Sequence, residues 1–81
     1  MTKEQVRTEI QQIFRKVLKI PDLNVNYSTS MDDLEAWDSL NHVVLIDAME
    51  KHFNIRFSLQ DLLNINDVEA ICNNVLRKLD R

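Results

Sequence analysis

Ser39 is the residue whose surroundings most clearly suggest chemistry. It lies in the segment Trp37-Asp38-Ser39-Leu40, where an acidic polar stretch gives way to an apolar run with helical spacing. A serine at that boundary has its hydroxyl at the start of a helix, where the positive end of the helix dipole favours a phosphate. The position therefore suits a hydroxyl that holds a phosphate-linked group.

Asp38 and His42 are close enough to Ser39 in sequence to suggest a Ser/His/Asp nucleophile as an alternative. Positions 39 and 42 are neighbours on a helix surface. A hydrolase also needs an oxyanion hole and a substrate cleft, and this chain has no glycine with which to build a nucleophile elbow. We therefore interpret Ser39 as an attachment point, and we predict that the protein is not an enzyme.

Metal-binding patterns are weak in this sequence. His42 and His52 are ten residues apart, and Cys72 is the single cysteine, so the spacing of a zinc site is missing. The acidic run Asp32–Glu35 lacks the twelve-residue pattern of a calcium loop with its central glycine. One cysteine cannot form an internal disulfide, which fits a reducing compartment, and we expect Cys72 to pack as a small hydrophobe.

Charge is unevenly distributed along the chain. Residues 1–20 have a balance of +3, residues 21–50 a balance of −7 and residues 51–81 a balance of +1. Ser39 lies in the acidic third, which disfavours a nucleic-acid partner and favours proteins with basic docking patches. The sequence also lacks a long apolar run and an apolar core near Met1, so we expect no membrane span, no signal peptide and a cytoplasmic location.

Apolar spacing predicts an all-α fold in one domain that spans residues 1–81. A first helix over about 2–19 begins at a Thr2/Gln5 capping box and is stopped by Pro21. A long loop over 21–38 leads to a second helix over 39–53, with Asp38 as its N-cap. A short third helix from Ser58 to about Leu63 and a long fourth helix capped by Asn66 complete a small four-helix bundle with three long helices and one short one.

The second helix has apolar residues on two faces. At 100° per residue, Leu45, Ile46, Met49 and Phe53 share one side, which we assign to the core. The opposite side carries Leu40, Val44, Asp47 and Lys51. These four residues form either a surface for partner proteins or a side that is covered by the loop or by another helix.

The sequence resembles the acyl carrier proteins. The resemblance rests on the attachment motif Asp38-Ser39-Leu40, on the helix Val43–Glu50 that follows it, on Phe53-Asn54-Ile55 and on the last capped helix. It covers nearly all 81 residues and includes the order of the helices. The tripeptide alone is common, but its place in a four-helix chain of this length makes the match specific.

The resemblance implies that a phosphopantetheinyl transferase attaches 4′-phosphopantetheine to Ser39. The arm would carry an acyl or aminoacyl group as a thioester, supplied by a ligase or an acyltransferase and delivered to further biosynthetic enzymes. Asp38 would be the acid of the motif, and Leu40 a contact for the transferase. We expect a monomer that docks its partners through Trp37, Leu40, Val44, Asp47 and Lys51.

Some positions depart from the pattern of the family. Many members have Leu-Gly one residue before the motif, where this chain has Glu35 and Ala36 followed by Trp37. Fatty-acid carriers tend to have acids at four positions after the serine, which are here occupied by Asn41, Val44, Glu50 and Lys51. We therefore expect a carrier of a fatty-acid pathway or, in preference, a dedicated carrier of a specialised biosynthetic pathway. The alternative is a helical adaptor that docks proteins through helix 2 and bears no prosthetic group.

Overall fold

Four α-helices make up the fold. The computed structural model describes residues 1–79, and the helices are α1 (Lys3–Leu18), α2 (Ser39–Phe53), α3 (Leu59–Asn64) and α4 (Val68–Leu79). α1 packs against both α2 and α4. The predicted all-α bundle is confirmed, and within residues 1–79 the β-structure amounts to one isolated bridge between Ser30 and Asp67. None of the helices in this range is long and apolar enough to cross a membrane.

Helix ends are fixed by side chains and by two residues with positive φ. At the start of α1, Gln5 N–H donates to Thr2 Oγ1 and Thr2 N–H donates to Gln5 Oε1, which confirms the capping box. The C-caps of α1 and α2 are Lys19 and Asn54, with φ values of 60° and 56°. Glycine usually takes such positions, and this chain has none. Asparagine tolerates the left-handed region well, whereas Lys19 adopts it at a steric cost.

One hydrophobic core lies between the three long helices. Its buried apolar side chains are Val6, Ile10, Ile13, Phe14, Leu18, Val25, Trp37, Leu45, Ile46, Met49, Phe53, Ile55, Ile65, Val68, Ile71, Cys72 and Val75. The predicted inner face of α2 belongs to this set. Cys72 packs as a small hydrophobe, as expected, and burial raises the pKa of its thiol to about 11.

The loop over 21–38 is pinned to the body of the protein by side chains and by backbone hydrogen bonds. Leu23, Tyr27, Met31 and Leu34 pack on the core as partly buried residues, and Val25 is buried within it. Three backbone bonds join the loop to the segment before and at the start of α4: Met31 N–H to Asn66 O, Val68 N–H to Thr29 O and Glu69 N–H to Tyr27 O. The long loop is therefore an ordered layer that leads to the start of α2.

The predicted N-cap of α4 is wrong by one residue. Asp67 is the residue whose Oδ1 accepts from Ala70 N–H, at 2.8 Å. The Asn66 carbonyl instead accepts the loop bond from Met31 N–H. Docking of the loop places residue 66 outside the helix, and the next acidic side chain takes over the cap.

α3 has no fully buried side chain, and it contacts the body through the partly buried Leu62 and through polar residues. The helix starts next to Ser58, as predicted, and a reciprocal capping box joins Ser58 and Asp61 there. Asp61 also pairs with Lys78 at 2.8 Å and with Arg77 at 3.1 Å, both in α4. The ammonium of Lys78 and the Ser58 amide hold the pKa of Asp61 well below its usual range.

Candidate functional site

Ser39 is the first residue of α2, and its side chain is exposed. Asp38 caps the helix, with its Oδ1 accepting from Asn41 N–H at 2.8 Å, as predicted. The Ser39 hydroxyl makes no hydrogen bond to any residue between 1 and 79. An exposed hydroxyl without an internal partner is open to modification, and the start of the helix offers a favourable field for a phosphate.

Two side-chain hydrogen bonds connect the turn that carries Ser39 to the preceding loop. Asn41 Nδ2 donates to the Ala36 carbonyl at 2.8 Å, and Trp37 Nε1 donates to His42 Nδ1 at 3.0 Å. His42 N–H also donates to the Asp38 carbonyl at 2.8 Å. Ser39 is exposed itself, but it lies on a rigidly connected turn.

The structure contradicts the prediction that Trp37 contacts partner proteins. Its side chain is only 1% exposed and is one of the largest in the core. The indole packs edge-on against Phe14 of α1, with ring centroids 4.9 Å apart. Burying so large an apolar ring is strongly favourable, so the indole lies in the core although Trp37 is only two residues from the exposed Ser39. Trp37 therefore anchors the residues before Ser39 to the core and offers no surface to a partner.

The outer face of α2 is exposed, which excludes the alternative that the loop or another helix covers it. Leu40 is 75% exposed and Val44 44%, and neither the loop nor another helix covers them. Asp47 and Lys51 complete this face and form an exposed ion pair at 3.0 Å. The partner-binding role of these residues stays a prediction.

Three further exposed apolar residues escaped the sequence analysis. They are Val43 in α2 and Leu59 and Leu63 in α3, each more than 60% exposed. Val43 lies between the two predicted faces of its helix, and the six residues of α3 are too few for a face to be read from spacing. The number of leucines in so short a helix was the feature of the sequence that could have indicated exposed apolar side chains there.

Comparisons with known proteins agree with this geometry. The family model described as "Phosphopantetheine attachment site" matches residues 8–75, which is most of the chain. The chain belongs to the acyl carrier protein family. No curated protein matches it significantly.

Two solved structures show how close this acyl carrier protein is to its relatives. A holo acyl carrier protein from Geobacter metallireducens is 34% identical with a TM-score of 0.88, and the match covers 94% of this chain and 87% of that one. A protein from Mycobacterium tuberculosis, named as a candidate acyl carrier protein, is 25% identical with a TM-score of 0.81, and the match covers 89% and 96% of the two chains. The helical bundle is thus the fold of the family.

Membership of the family assigns the chemistry. The protein is a carrier and not an enzyme, and its prosthetic group is a covalently attached 4′-phosphopantetheine. The residues at the start of α2 fit such a group, since the Ser39 hydroxyl is exposed and unbonded and the Ser39 and Leu40 amides have no hydrogen-bond acceptor within residues 1–79. When bound, the group supplies a terminal thiol that holds an acyl chain as a thioester.

His42 in this carrier protein is expected to make stability depend on pH. Nδ1 accepts the indole hydrogen bond, so the neutral ring carries its proton on Nε2. Burial lowers the pKa of His42 from its ordinary value, and a backbone hydrogen bond to Leu62 opposes the shift. The unfolded chain therefore takes up the proton first, and the free energy of unfolding should fall as the pH drops from about 7 towards 5.5. Urea unfolding across this range measures the effect.

The matched control is His42→Gln, since glutamine does not titrate and its Oε1 can accept from the indole. We expect a smaller loss of stability for this variant than for the wild type over the same pH range. An equal loss in both proteins would show that other groups cause the pH dependence.

Proposed function

We propose that this acyl carrier protein bears its 4′-phosphopantetheine on Ser39 and delivers acyl groups to the enzymes of a specialised biosynthetic pathway. The observation that carries the proposal is the Ser39 hydroxyl, which is exposed and unbonded at the capped start of α2. In the attachment reaction, Ser39 Oγ bonds to the phosphorus next to pantetheine in coenzyme A. The pyrophosphate bond breaks, adenosine 3′,5′-bisphosphate leaves, and the hydroxyl proton is released.

A specialised pathway is supported by the charge on α2. Of the four positions where fatty-acid carriers tend to have acids, only the one at Glu50 keeps a carboxylate. That carboxylate is half-buried and accepts from Phe57 N–H at 2.8 Å, so it caps the backbone instead of facing a partner. Asp47, an acid that does face outward, is paired with Lys51. A partner that reads a row of acids on α2 would find little to bind.

Incubation with coenzyme A, Mg²⁺ and a broad-specificity phosphopantetheinyl transferase tests the attachment. Intact mass should rise by one phosphopantetheine. No gain in mass with any transferase would overturn the proposal and favour the adaptor that lacks a prosthetic group.

Mass spectrometry of the protein from its native host, read for the thioester on the arm, would identify the acyl or aminoacyl cargo. We also propose that the carrier acts as a monomer in the cytoplasm, which sedimentation and fractionation would test.

Partner enzymes and the transferase are proposed to dock on Leu40, Val44, Asp47 and Lys51. Val44 is 44% exposed on this face. Val44→Asp should therefore leave the melting temperature nearly unchanged, because surface substitutions usually alter stability by less than about 0.5 kcal/mol. The same change should slow loading, because it places a charge in an apolar contact. Thermal unfolding and the KM for the carrier in the loading reaction measure the two effects.

Thr8→Asp is a suitable control, since it introduces the same charge at an exposed position of another helix, α1. It should be loaded like the wild type. If Val44→Asp loses stability instead of transferase affinity, Val44 is a packing residue and the proposed docking face is wrong.

A further inference from the structure

The hydrogen bond between Trp37 and His42 links the loop to the first turn of α2 on either side of Ser39. Trp37 precedes Ser39 by two residues, and His42 follows it by three. The indole Nε1 and the imidazole Nδ1 are 3.0 Å apart, and the two rings stack with an interplanar angle of 29°. The bond therefore closes a small ring of chain with the attachment residue inside it.

Both ends of this bond are anchored in different parts of the protein. Trp37 is buried against Phe14 of α1, so the loop end is fixed to the core. His42 is half-buried in the first turn of α2. The pair thus connects α1, the loop and the start of α2.

We propose that Trp37 and His42 form a positioning pair that holds the Ser39 turn in the geometry on which the phosphopantetheinyl transferase acts. The proposal rests on Ser39 being the attachment residue. Ser39 makes no side-chain hydrogen bond of its own within residues 1–79, so the position of its backbone depends on the bonds that its neighbours make. Transfer to a hydroxyl depends on its alignment, and a displacement of about 1 Å can cost as much as 10²-fold in rate.

Three substitutions separate the hydrogen bond from the packing of the rings. Trp37→Phe keeps a buried aromatic ring and removes the donor. His42→Leu keeps a side chain of similar size and removes the acceptor, which leaves the buried indole N–H without a partner. His42→Gln restores an acceptor on a side chain that does not titrate. Ile71→Val in α4, a buried position remote from Ser39 in sequence, is the control for a general loss of stability.

The indole group gives a readout that does not depend on loading. Trp37 is the only tryptophan, so a ¹H–¹⁵N correlation NMR spectrum contains a single indole N–H signal. Its exchange with solvent should be slow in the wild type and in His42→Gln and faster in His42→Leu. Fast exchange in the wild type would mean that the bond does not persist in solution and would overturn the proposal.

Loading kinetics with coenzyme A and a broad-specificity transferase test the consequence for Ser39. We expect kcat to fall about tenfold in His42→Leu and Trp37→Phe, and KM for the carrier to change less than twofold, because the outer face of α2 is untouched. His42→Gln should recover most of the rate, and Ile71→Val should load like the wild type.

Two results would contradict the positioning role. One is normal kcat in both His42→Leu and Trp37→Phe. The other is an equal fall in Ile71→Val, which would trace the effect to stability alone. If His42→Leu does not fold, Trp37→Phe with the Ile71→Val control decides. Failure of the proposed function is distinguishable, since it would appear as no loading of the wild type by any transferase.

Discussion

Ser39→Ala is expected to abolish phosphopantetheine attachment completely. The hydroxyl oxygen is the atom that bonds to the phosphate, and alanine has no replacement for it. Folding should be unaffected, because the Ser39 side chain is exposed and makes no hydrogen bond within residues 1–79. Asp38, and not Ser39, supplies the helix cap. Intact mass after incubation with transferase, coenzyme A and Mg²⁺ should stay that of the unmodified chain, while the thermal unfolding curve should match the wild type.

Ser28→Ala is the matched control for this experiment. Ser28 is also exposed, but it lies in the loop and its hydroxyl donates to Asn26 Oδ1 at 2.7 Å. This variant should gain one phosphopantetheine at the wild-type rate. A full gain in mass by Ser39→Ala would mean that another residue bears the group, and peptide mapping would then locate it.

Leu45→Ala should produce the largest loss of stability among the substitutions considered. Leu45 is 1% exposed and lies on the inner face of α2, where α2 packs on α1. Truncating a buried leucine to alanine costs about 2–5 kcal/mol, because apolar contacts are lost and a cavity remains. Domains of this kind are stable by only about 5–15 kcal/mol in total, so the variant should unfold at a much lower urea concentration.

Leu40→Ala makes the same chemical change on the opposite face of the same helix. Leu40 is 75% exposed, so its truncation should alter the free energy of unfolding by less than about 0.5 kcal/mol. Equal losses in the two variants would contradict the assignment of inner and outer faces. A loss of loading by Leu40→Ala without a loss of stability would support its role as a transferase contact.

The sequence predicted the helix that carries Ser39 well, because the bounds and faces of that helix depend on residues close together in the chain. Asp38 and the apolar spacing after it determine α2, and its observed bounds are the predicted ones. The Thr2/Gln5 capping box and the division of α2 into an inner face and an opposite face also follow from short-range patterns. These features depend on residues within one or two turns of each other, which periodicity and capping rules describe directly.

Features that depend on distant contacts were not predictable in the same way. Trp37 is buried because Phe14, more than twenty positions earlier, provides a place for the indole. The cap of α4 moves from Asn66 to Asp67 because the loop binds the Asn66 carbonyl. The bond from Trp37 to His42 requires the loop to turn back over the start of α2. Each of these results follows from how the loop packs, which no local pattern specifies.

Burial of Cys72 has a consequence for the cargo. Thioesters exchange readily with thiolates, so a reactive cysteine on a carrier could take the acyl group from the arm. With its pKa raised to about 11, Cys72 exists as thiolate in a fraction on the order of 10⁻⁴ at neutral pH, and its side chain is closed to solvent. Since Cys72 is the only cysteine, the arm is the sole accessible thiol of the protein when it bears phosphopantetheine without an acyl group. The polypeptide therefore does not compete for the group that it transports, and a thiol-directed label would report the state of the arm alone.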